Sequence, residues 1–116
     1  KTLNEIAIEA KTLAQECQKG TINPDKLKDG TFTVTNLGAL GIESFTPVIN
    51  PPQTAILGVN TIGQKFRERN GNIESYSSMS LSLTFDHRAV DGAPAARFLK
   101  DLREALVSFT VLLALR

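Results

Sequence analysis

The sequence contains few of the residues that build metal sites and disulfides, since it holds one cysteine and one histidine among 116 residues. The single cysteine, Cys17, excludes an intrachain disulfide and a thiolate metal cluster, and it suits a reducing compartment. No apolar run approaches 18 residues, so no membrane-spanning helix is predicted, and the first residues lack the apolar core of a signal peptide. The formal net charge of +1 gives no reason to expect nucleic acid or an acidic membrane as a partner.

What remains is an ordinary globular composition, with 41% hydrophobic and 22% charged residues. A chain of this length buries roughly two-thirds of its unfolded surface, which is enough for one modest core. We therefore expect one domain at most.

The first helix is predicted over residues 3–19. Thr2 followed by Glu5 resembles a capping box, and Lys19 with Gly20 is typical of a helix end. Since Cys17 falls on the apolar stripe of this helix and no histidine is near it in sequence, we interpret it as a core residue rather than a nucleophile. The stripe is formed by Leu3, Ile6, Ala10, Leu13, Ala14 and Cys17.

Two strands are predicted in the middle of the chain. In residues 31–36, Phe32 and Val34 share one face, which we expect to be buried, while three threonines share the other. The threonine face is either an exposed edge or a wall of hydroxyls that faces a site. Residues 54–59 form a nearly continuous apolar run, which predicts a strand covered on both faces.

Asn70-Gly71 is the clearest hairpin turn in the chain. It predicts that a strand over residues 62–69 pairs with a long strand over residues 73–86. The segment 107–115 is too apolar for a free tail, so we expect it to fold back on its own domain or to dock on a neighbouring subunit.

The single histidine, His87, lies where the long strand is predicted to end and a second helix, over residues 92–106, is predicted to begin. Loops between strands and helices are where α/β folds usually carry their chemistry. Without further support, a lone histidine in such a place is a surface residue in a turn. The changes of apolar period predict a mixed α/β fold, in which sheets are covered by the helices over residues 3–19 and 92–106.

Three segments together resemble one protein family: Asp86-His87-Arg88, which opens a His-x-x-x-Asp-Gly pattern, residues 32–38 and residues 48–58. Their order and spacing resemble the catalytic domain of dihydrolipoyl acyltransferases, the core subunits of 2-oxo acid dehydrogenase complexes, within the chloramphenicol-acetyltransferase-like family. The resemblance extends from Leu3 to about Leu106. It implies an α/β fold of the α+β type, a two-layer sandwich of a mixed sheet with covering helices. Because family domains are longer, residues 1–116 are expected to be the C-terminal part of a single catalytic domain.

The resemblance implies acyl transfer between the thiol of a dihydrolipoyl arm and coenzyme A, by direct attack without an acyl-enzyme. A thiol is mostly protonated at neutral pH, so a base is needed, and His87 carries the only imidazole. The oxyanion donor corresponds to Thr35, where many relatives carry serine, and Asn36 corresponds to a coenzyme-contacting position. Coenzyme A is thus implied as a substrate, with the lipoyl group on a separate domain and no metal.

Asp91, four residues after His87, has three interpretations. It is a carboxylate that orients the imidazole as in a catalytic triad, a structural ion-pair residue as the resemblance implies, or the N-cap of the following helix. We prefer the structural role, and we expect Asp86 and Arg88 to support the loop in the same way. A metal site formed by Asp86, His87 and Asp91 is disfavoured, because one imidazole and two carboxylates are a poor set for a transition metal.

The resemblance also implies partners. In this family the active site lies between subunits of a trimer, so His87 of one chain and Thr35 of its neighbour are expected to meet. Such homotrimers are expected to assemble into a cubic or icosahedral core that works with lipoyl domains and the other enzymes of the complex, in bacterial cytoplasm or the mitochondrial matrix. The alternative is a truncated, inactive chain that serves as an assembly or interaction module.

Overall fold

The structure is a computed structural model, and it describes residues 1–114. The chain divides into two compact units, one formed by residues 1–30 and the other beginning at Thr31. Each unit is described separately below.

The first unit consists mainly of helix α1 (Leu3–Lys19). The Glu5 amide donates to Thr2 Oγ1 over 3.2 Å, and the Thr2 amide donates to Glu5 Oε2 over 2.7 Å, so the predicted capping box is present. At the other end Gly20 adopts a φ of 68°, a left-handed conformation that glycine tolerates without strain. A short 3-10 helix (Pro24–Leu27) follows. The bounds of α1 are those expected from the sequence.

The interpretation of Cys17 as a core residue is wrong, because Cys17 is exposed and α1 has no buried residue. The apolar stripe of α1 exists in sequence, but a unit of this size holds little apolar surface to cover one face of a helix. Amphipathic periodicity therefore identified the helix correctly and its burial incorrectly.

In the second unit the described residues form five strands: β1 (Thr33–Asn36), β2 (Ala55–Val59), β3 (Gly63–Arg69), β4 (Asn72–Ser78) and β5 (Leu81–Phe85). Three of them form a mixed sheet in the order β1-β2-β5, with β1 parallel and β5 antiparallel to β2. Residues 56–58 in the central strand are buried, so the prediction of a strand covered on both faces is confirmed.

The burial of the two faces of β1 is the reverse of that expected: the threonine face is the more buried one. Thr33 and Thr35 are half-buried, whereas Phe32 is 41% exposed and Val34 is 61% exposed. The reason is a cover on the threonine face, where the Phe45 ring lies over Gly58; a Cβ at Gly58 would stand 2.8 Å from Phe45 Cζ. The expected burial of Phe32 was therefore wrong.

The hairpin predicted at Asn70-Gly71 is confirmed, with φ angles of 52° and 78° at these residues and β3 pairing with β4 on either side. The single long strand predicted over residues 73–86 is wrong, because that segment is divided between two sheets. β4 pairs with β3, and after a break at Met79 and Ser80, β5 pairs with β2. The apolar alternation continues across the break, which is why the sequence did not reveal it.

Two helices complete the second unit, α2 (Gly92–Val107) and the short α3 (Phe109–Ala114). α2 contacts β5, its Ala95 is buried, and its Phe98 ring lies 6.0 Å from that of Phe32. These helices and the mixed sheet confirm the expected fold class. Most of the apolar side chains after α2 are exposed, and Val107 is 80% exposed, so docking of this tail stays a prediction, with its last part outside the described residues. Among residues 1–114, no helix has the length and apolar character to cross a membrane.

The close approach of Gly38 to β2 generates a test of the fold. A Cβ at Gly38 would lie 2.6 Å from the backbone oxygen of Asn60, whereas one at Gly63 would meet no atom within 4 Å. We expect Gly38→Ala to lower the free energy of unfolding by about 1–3 kcal/mol, because backbone atoms must shift to accommodate the methyl group. The matched control, Gly63→Ala, should change it by less than about 1 kcal/mol. Chemical denaturation measures both, and equal effects would contradict this packing.

Candidate active site

The loop of residues 86–91 joins β5 to α2, and the backbone of Asp86 fixes its start. The Asp86 amide donates to the carbonyl of Thr54 over 2.8 Å, which continues the pairing of β5 with the chain before β2. The Asp86 carbonyl accepts hydrogen bonds from the amides of Ala89 and Val90, both over 2.9 Å. Because His87 lies inside this turn, its backbone position is determined by the end of β5.

The side chain of Asp86 holds the same turn through Arg88. Arg88 donates from Nε to one carboxylate oxygen over 2.9 Å and from Nη2 to the other over 2.8 Å, while its amide donates over 3.0 Å. These bonds favour the charged form, so the hydrogen bonds from Arg88 lower the pKa of Asp86 to about 2, and the Asp86 carboxylate raises the pKa of Arg88. The expectation that Asp86 and Arg88 support the loop is confirmed.

The His87 side chain is exposed, with its ring tilted by 38° against the ring of Phe85 at a centroid distance of 5.8 Å. It lines a shallow groove of about 430 Å³ that is also lined by Pro51, Pro52 and Gln53. An exposed imidazole beside a groove is accessible to a thiol from solution. The histidine is thus placed at the strand end that the sequence predicted.

Asp91 occupies the N-cap position of α2, with extended backbone angles, and its carbonyl accepts a hydrogen bond from Ala95 over 3.2 Å. Its carboxylate does not cap the helix, and it forms no ion pair with any residue in the described part of the chain. The structure therefore supports the N-cap interpretation for the backbone alone. Both the structural ion pair and the catalytic role of the carboxylate stay predictions.

Thr35 lies near the end of β1, where it pairs with Gly58, and Gly58 pairs in turn with Ser82 of β5. Within the described residues its hydroxyl has no hydrogen-bond partner, in contrast to that of Thr33, which donates to Gln53 Oε1 over 2.5 Å. Asn36 is exposed and accepts a hydrogen bond from the Gly38 amide over 2.9 Å. Thr35 thus offers an unused donor on a half-buried face.

Thr35 and His87 lie at opposite ends of the three-stranded sheet. Thr35 pairs with Gly58 near one end of β2. Phe85 pairs with Ala55 at the other end of β2, and His87 lies two residues beyond Phe85. With ~3.3 Å per residue along a strand and ~4.8 Å between strands, five residues along the sheet and two strand spacings place the two backbones about 19 Å apart within one chain. The structure does not bring these two predicted site residues together in one chain.

Two features of the site were not foreseen from the sequence. One is Gln53, which lies beside His87 in the groove and accepts a hydrogen bond from the Thr33 hydroxyl. The only sequence signal for a fixed conformation of Gln53 was its position between Pro52 and a buried strand. The other is the break before β5. Among residues 1–114, no group of three or more histidine, cysteine or acidic side chains is arranged to hold a metal ion.

Comparison with known proteins identifies the family. Residues 1–114 match the family model for the 2-oxoacid dehydrogenases acyltransferase (catalytic domain). The chain belongs to this family. Among similar proteins, the dihydrolipoyllysine-residue acetyltransferase component of the acetoin cleaving system of Bacillus subtilis is 43% identical over 105 residues, which are 90% of this chain and 26% of that protein. The acetyltransferase component of the mitochondrial pyruvate dehydrogenase complex of Dictyostelium discoideum is 41% identical over 90% of this chain and 17% of its own length.

Solved structures of the family agree with the fold. The dihydrolipoamide acetyltransferase of Azotobacter vinelandii, in which a serine, a histidine and an asparagine were investigated for their role in the catalytic mechanism, superposes with a TM-score of 0.90 at 34% identity over 97% of this chain and 46% of its own. A catalytic core of the 2-oxoacid dehydrogenase multienzyme complex from Thermoplasma acidophilum gives 0.74 at 39% identity, over 90% and 45% of the two chains. This chain therefore spans less than half the length of these solved chains.

The Asp86–Arg88 pair predicts a pH dependence of stability. The pKa of Asp86 is lowered from 3.8 to about 2 in the folded state, so the pair stabilises the fold above pH 3.8, and this contribution is lost as the pH falls from there through about 2. We expect Asp86→Asn to lower the free energy of unfolding at pH 6 and to differ progressively less from the wild type below pH 3.8.

Denaturant unfolding at a series of pH values measures this difference. Asp101→Asn is the matched control, because Asp101 is exposed on α2 and forms no ion pair with a described residue. A difference between Asp86→Asn and the wild type that stays constant from pH 6 to pH 2 would contradict the assignment.

Proposed function

We propose that this chain provides the catalytic base and the oxyanion donor for acyl transfer between the thiol of a dihydrolipoyl arm and coenzyme A. The observation that carries the proposal is the placement of His87, the only imidazole, exposed at the groove on a turn that Asp86 and Arg88 fix from both sides. The family to which the chain belongs supports the reaction class.

The spacing of the candidate residues also supports the proposal. In the Azotobacter vinelandii enzyme the histidine follows the serine by 52 positions and precedes the asparagine by four. Thr35, His87 and Asp91 have the same two spacings in this chain. A hydroxyl and an imidazole are thus retained at corresponding separations, while a carboxylate stands where that enzyme has a carboxamide.

The proposed step begins with the thiol of coenzyme A, since a thiolate is the nucleophile and the free thiol is mostly protonated at neutral pH. His87 accepts the thiol proton as the sulfur attacks the thioester carbonyl of the acylated dihydrolipoyl arm. The new carbon–sulfur bond forms a tetrahedral oxyanion, and the bond to the dihydrolipoyl sulfur then breaks. His87 returns its proton to the departing thiolate, so the reaction balances without an acyl-enzyme.

Thr35 is the proposed donor to the oxyanion. Its hydroxyl has no partner among the described residues and is held on a strand, so it needs no reorganisation when charge develops. Donors of this kind are typically worth about 3–4 kcal/mol of transition-state stabilisation. The additional methyl group of threonine relative to serine narrows the space beside the hydroxyl, which bears on the acyl group that is preferred. Asn36, next in the chain, is the proposed contact to coenzyme A.

A separation of about 19 Å within one chain exceeds the reach of both side chains, so the two residues meet only if different subunits supply them. We infer that His87 of one chain and Thr35 of its neighbour form each site in a homotrimer. The similar structure of a pyruvate dehydrogenase complex is described as a cubic core, which supports assembly of such trimers into a larger particle. Lipoyl domains and the other enzymes of the complex are the proposed partners, in the cytoplasm or the mitochondrial matrix.

A second candidate function is an inactive assembly module. It is considered because this chain covers 46% of the Azotobacter vinelandii chain. The proposal that residues 1–116 are the C-terminal part of one catalytic domain is compatible with either function. Activity of the complete gene product with acyl-coenzyme A donors distinguishes the two.

The first prediction from this mechanism concerns His87. We expect His87→Ala in the complete gene product to lower kcat by roughly two to four orders of magnitude, since no other imidazole replaces the base. Steady-state kinetics with dihydrolipoamide and acetyl-coenzyme A measure the loss, and size-exclusion chromatography confirms that the variant assembles. Retention of a tenth of the normal rate by a folded, assembled variant would assign the base elsewhere.

The second prediction joins Thr35 to the subunit arrangement. We expect Thr35→Val to lower kcat by about two orders of magnitude with a much smaller change in KM for coenzyme A, because the hydrogen bond acts mainly in the transition state. Thr84→Val is the matched control, since Thr84 lies on the same face of the sheet and has no proposed role. In mixed trimers, refolding of Thr35→Val with His87→Ala subunits in equal amounts should restore about one quarter of the interfaces.

Mixed particles are separated from the single variants by tags on each chain and assayed directly. Mixed trimers that assemble and show no more activity than either variant alone would contradict a site shared between subunits. Loss of activity in Thr84→Val equal to that in Thr35→Val would contradict the specific role of the Thr35 hydroxyl.

A further inference from the structure

Asn60 is the one polar side chain that is buried among the described residues, with an exposure of 2%. It follows the last residue of β2, and its amide donates to the Ser80 carbonyl over 3.2 Å, so it extends the pairing of β2 with the chain before β5. By the alternation of a strand it lies on the same face as Gly58, and therefore on the face of Thr35. Asn60 is thus two residues beyond Gly58, the strand partner of the proposed oxyanion donor.

The carboxamide of Asn60 ties two elements together. Its Nδ2 donates to Ser80 through the carbonyl (3.0 Å) and the Oγ (2.9 Å), and it lies 3.2 Å from Ser82 Oγ. Ser82 is in the same row as Thr35, on the other side of Gly58. The Ser80 hydroxyl in turn donates to the Glu43 carbonyl over 3.1 Å, so Asn60 is linked to Glu43 through Ser80.

Residues 36–43 form a segment that directly follows Thr35 and ends at Glu43. The backbone on either side of Asn60 also binds this segment. The Leu37 amide donates to the Val59 carbonyl over 3.1 Å, and the Thr61 amide donates to the Ile42 carbonyl over 2.7 Å. Gly38 packs so closely on the Asn60 carbonyl that no side chain fits between them. The segment after Thr35 is therefore attached at both ends to residues that surround Asn60.

The second carboxamide atom, Asn60 Oδ1, is buried and has no hydrogen-bond partner among the described residues. An unpaired buried acceptor is unfavourable for stability. Such groups persist where another requirement keeps them in place. Here that requirement is the set of hydrogen bonds that Nδ2 donates.

We propose that Asn60 is a positioning residue for the oxyanion site. Its carboxamide fixes the segment of residues 36–43 and the register partners Ser82, Gly58 and Thr35. The inference rests on the proposed function of Thr35 as the oxyanion donor. Asn60 touches neither substrate nor reacting atoms, and it acts through the position of the Thr35 hydroxyl. A displacement of this hydroxyl weakens the transition state more than it weakens substrate binding.

The test is a double-mutant cycle in the complete gene product. Asn60→Leu removes the donors at similar volume, and Ser82→Ala is the milder variant that removes the acceptor nearest to Thr35. We expect each to lower kcat by about 5–50-fold, with KM for coenzyme A changed less than about threefold. In the Thr35→Val background the same changes should lower kcat by less than about twofold, because the hydroxyl they position is absent.

Ser75→Ala is the matched control for Ser82→Ala, because Ser75 is exposed on β4 and lies in the other sheet. Ser82→Ala decides the outcome if Asn60→Leu does not fold. Suppose that Thr35→Val impairs kcat. If Asn60→Leu and Ser82→Ala then lower kcat equally in the wild-type and Thr35→Val backgrounds, or if both fold and keep the normal kcat, the positioning role of Asn60 is overturned and the proposed function stands. If Thr35→Val keeps the normal kcat, the oxyanion role of Thr35 falls, and this inference falls with it.

Discussion

The pairing of β2 with strands on both sides is the interaction on which the rest of the second unit depends. Residues 56–58 are the buried centre of this sheet. β2 pairs in parallel with β1 on one side and antiparallel with β5 on the other. The parallel pairing sets the row of Thr35, and the antiparallel pairing, continued by the bond from Asp86 to Thr54, sets the start of the histidine loop. A change of register on either side would move one candidate site residue and leave the other in place.

The two ends of this sheet are stabilised by different means. At the histidine end the contacts are local, because Asp86 and Arg88 are two residues apart and form charge-assisted bonds in an exposed turn. At the threonine end they are long-range, because Asn60 joins segments about twenty residues apart in sequence through a buried carboxamide. Salt and pH therefore act mainly on the first end, whereas packing changes act mainly on the second.

What the sequence could predict follows from how local each signal is. The capping box of α1 and the Asn70-Gly71 turn depend on neighbouring residues, and both are present as expected. The burial of Cys17 and Phe32, and the continuity of residues 73–86, depend on which distant element covers or pairs with them, and all three expectations were wrong. The candidate site divides in the same way: the residue types and their loops were recognisable, whereas the separation of Thr35 from His87 depends on the antiparallel pairing of β5.

That separation has a consequence for how such a site is controlled. Since Thr35 and His87 are fixed to opposite ends of one sheet, about 19 Å apart, no rotamer change or loop movement within a chain joins them. If both act in one reaction, as we propose, every chain carries two half-sites and no complete one. The number of active sites then follows the fraction of chains that are assembled, and it depends on protein concentration as any association does. Substitutions at a subunit interface would lower activity without touching either residue, whereas those in the Asp86–Arg88 pair would lower it within fully assembled particles.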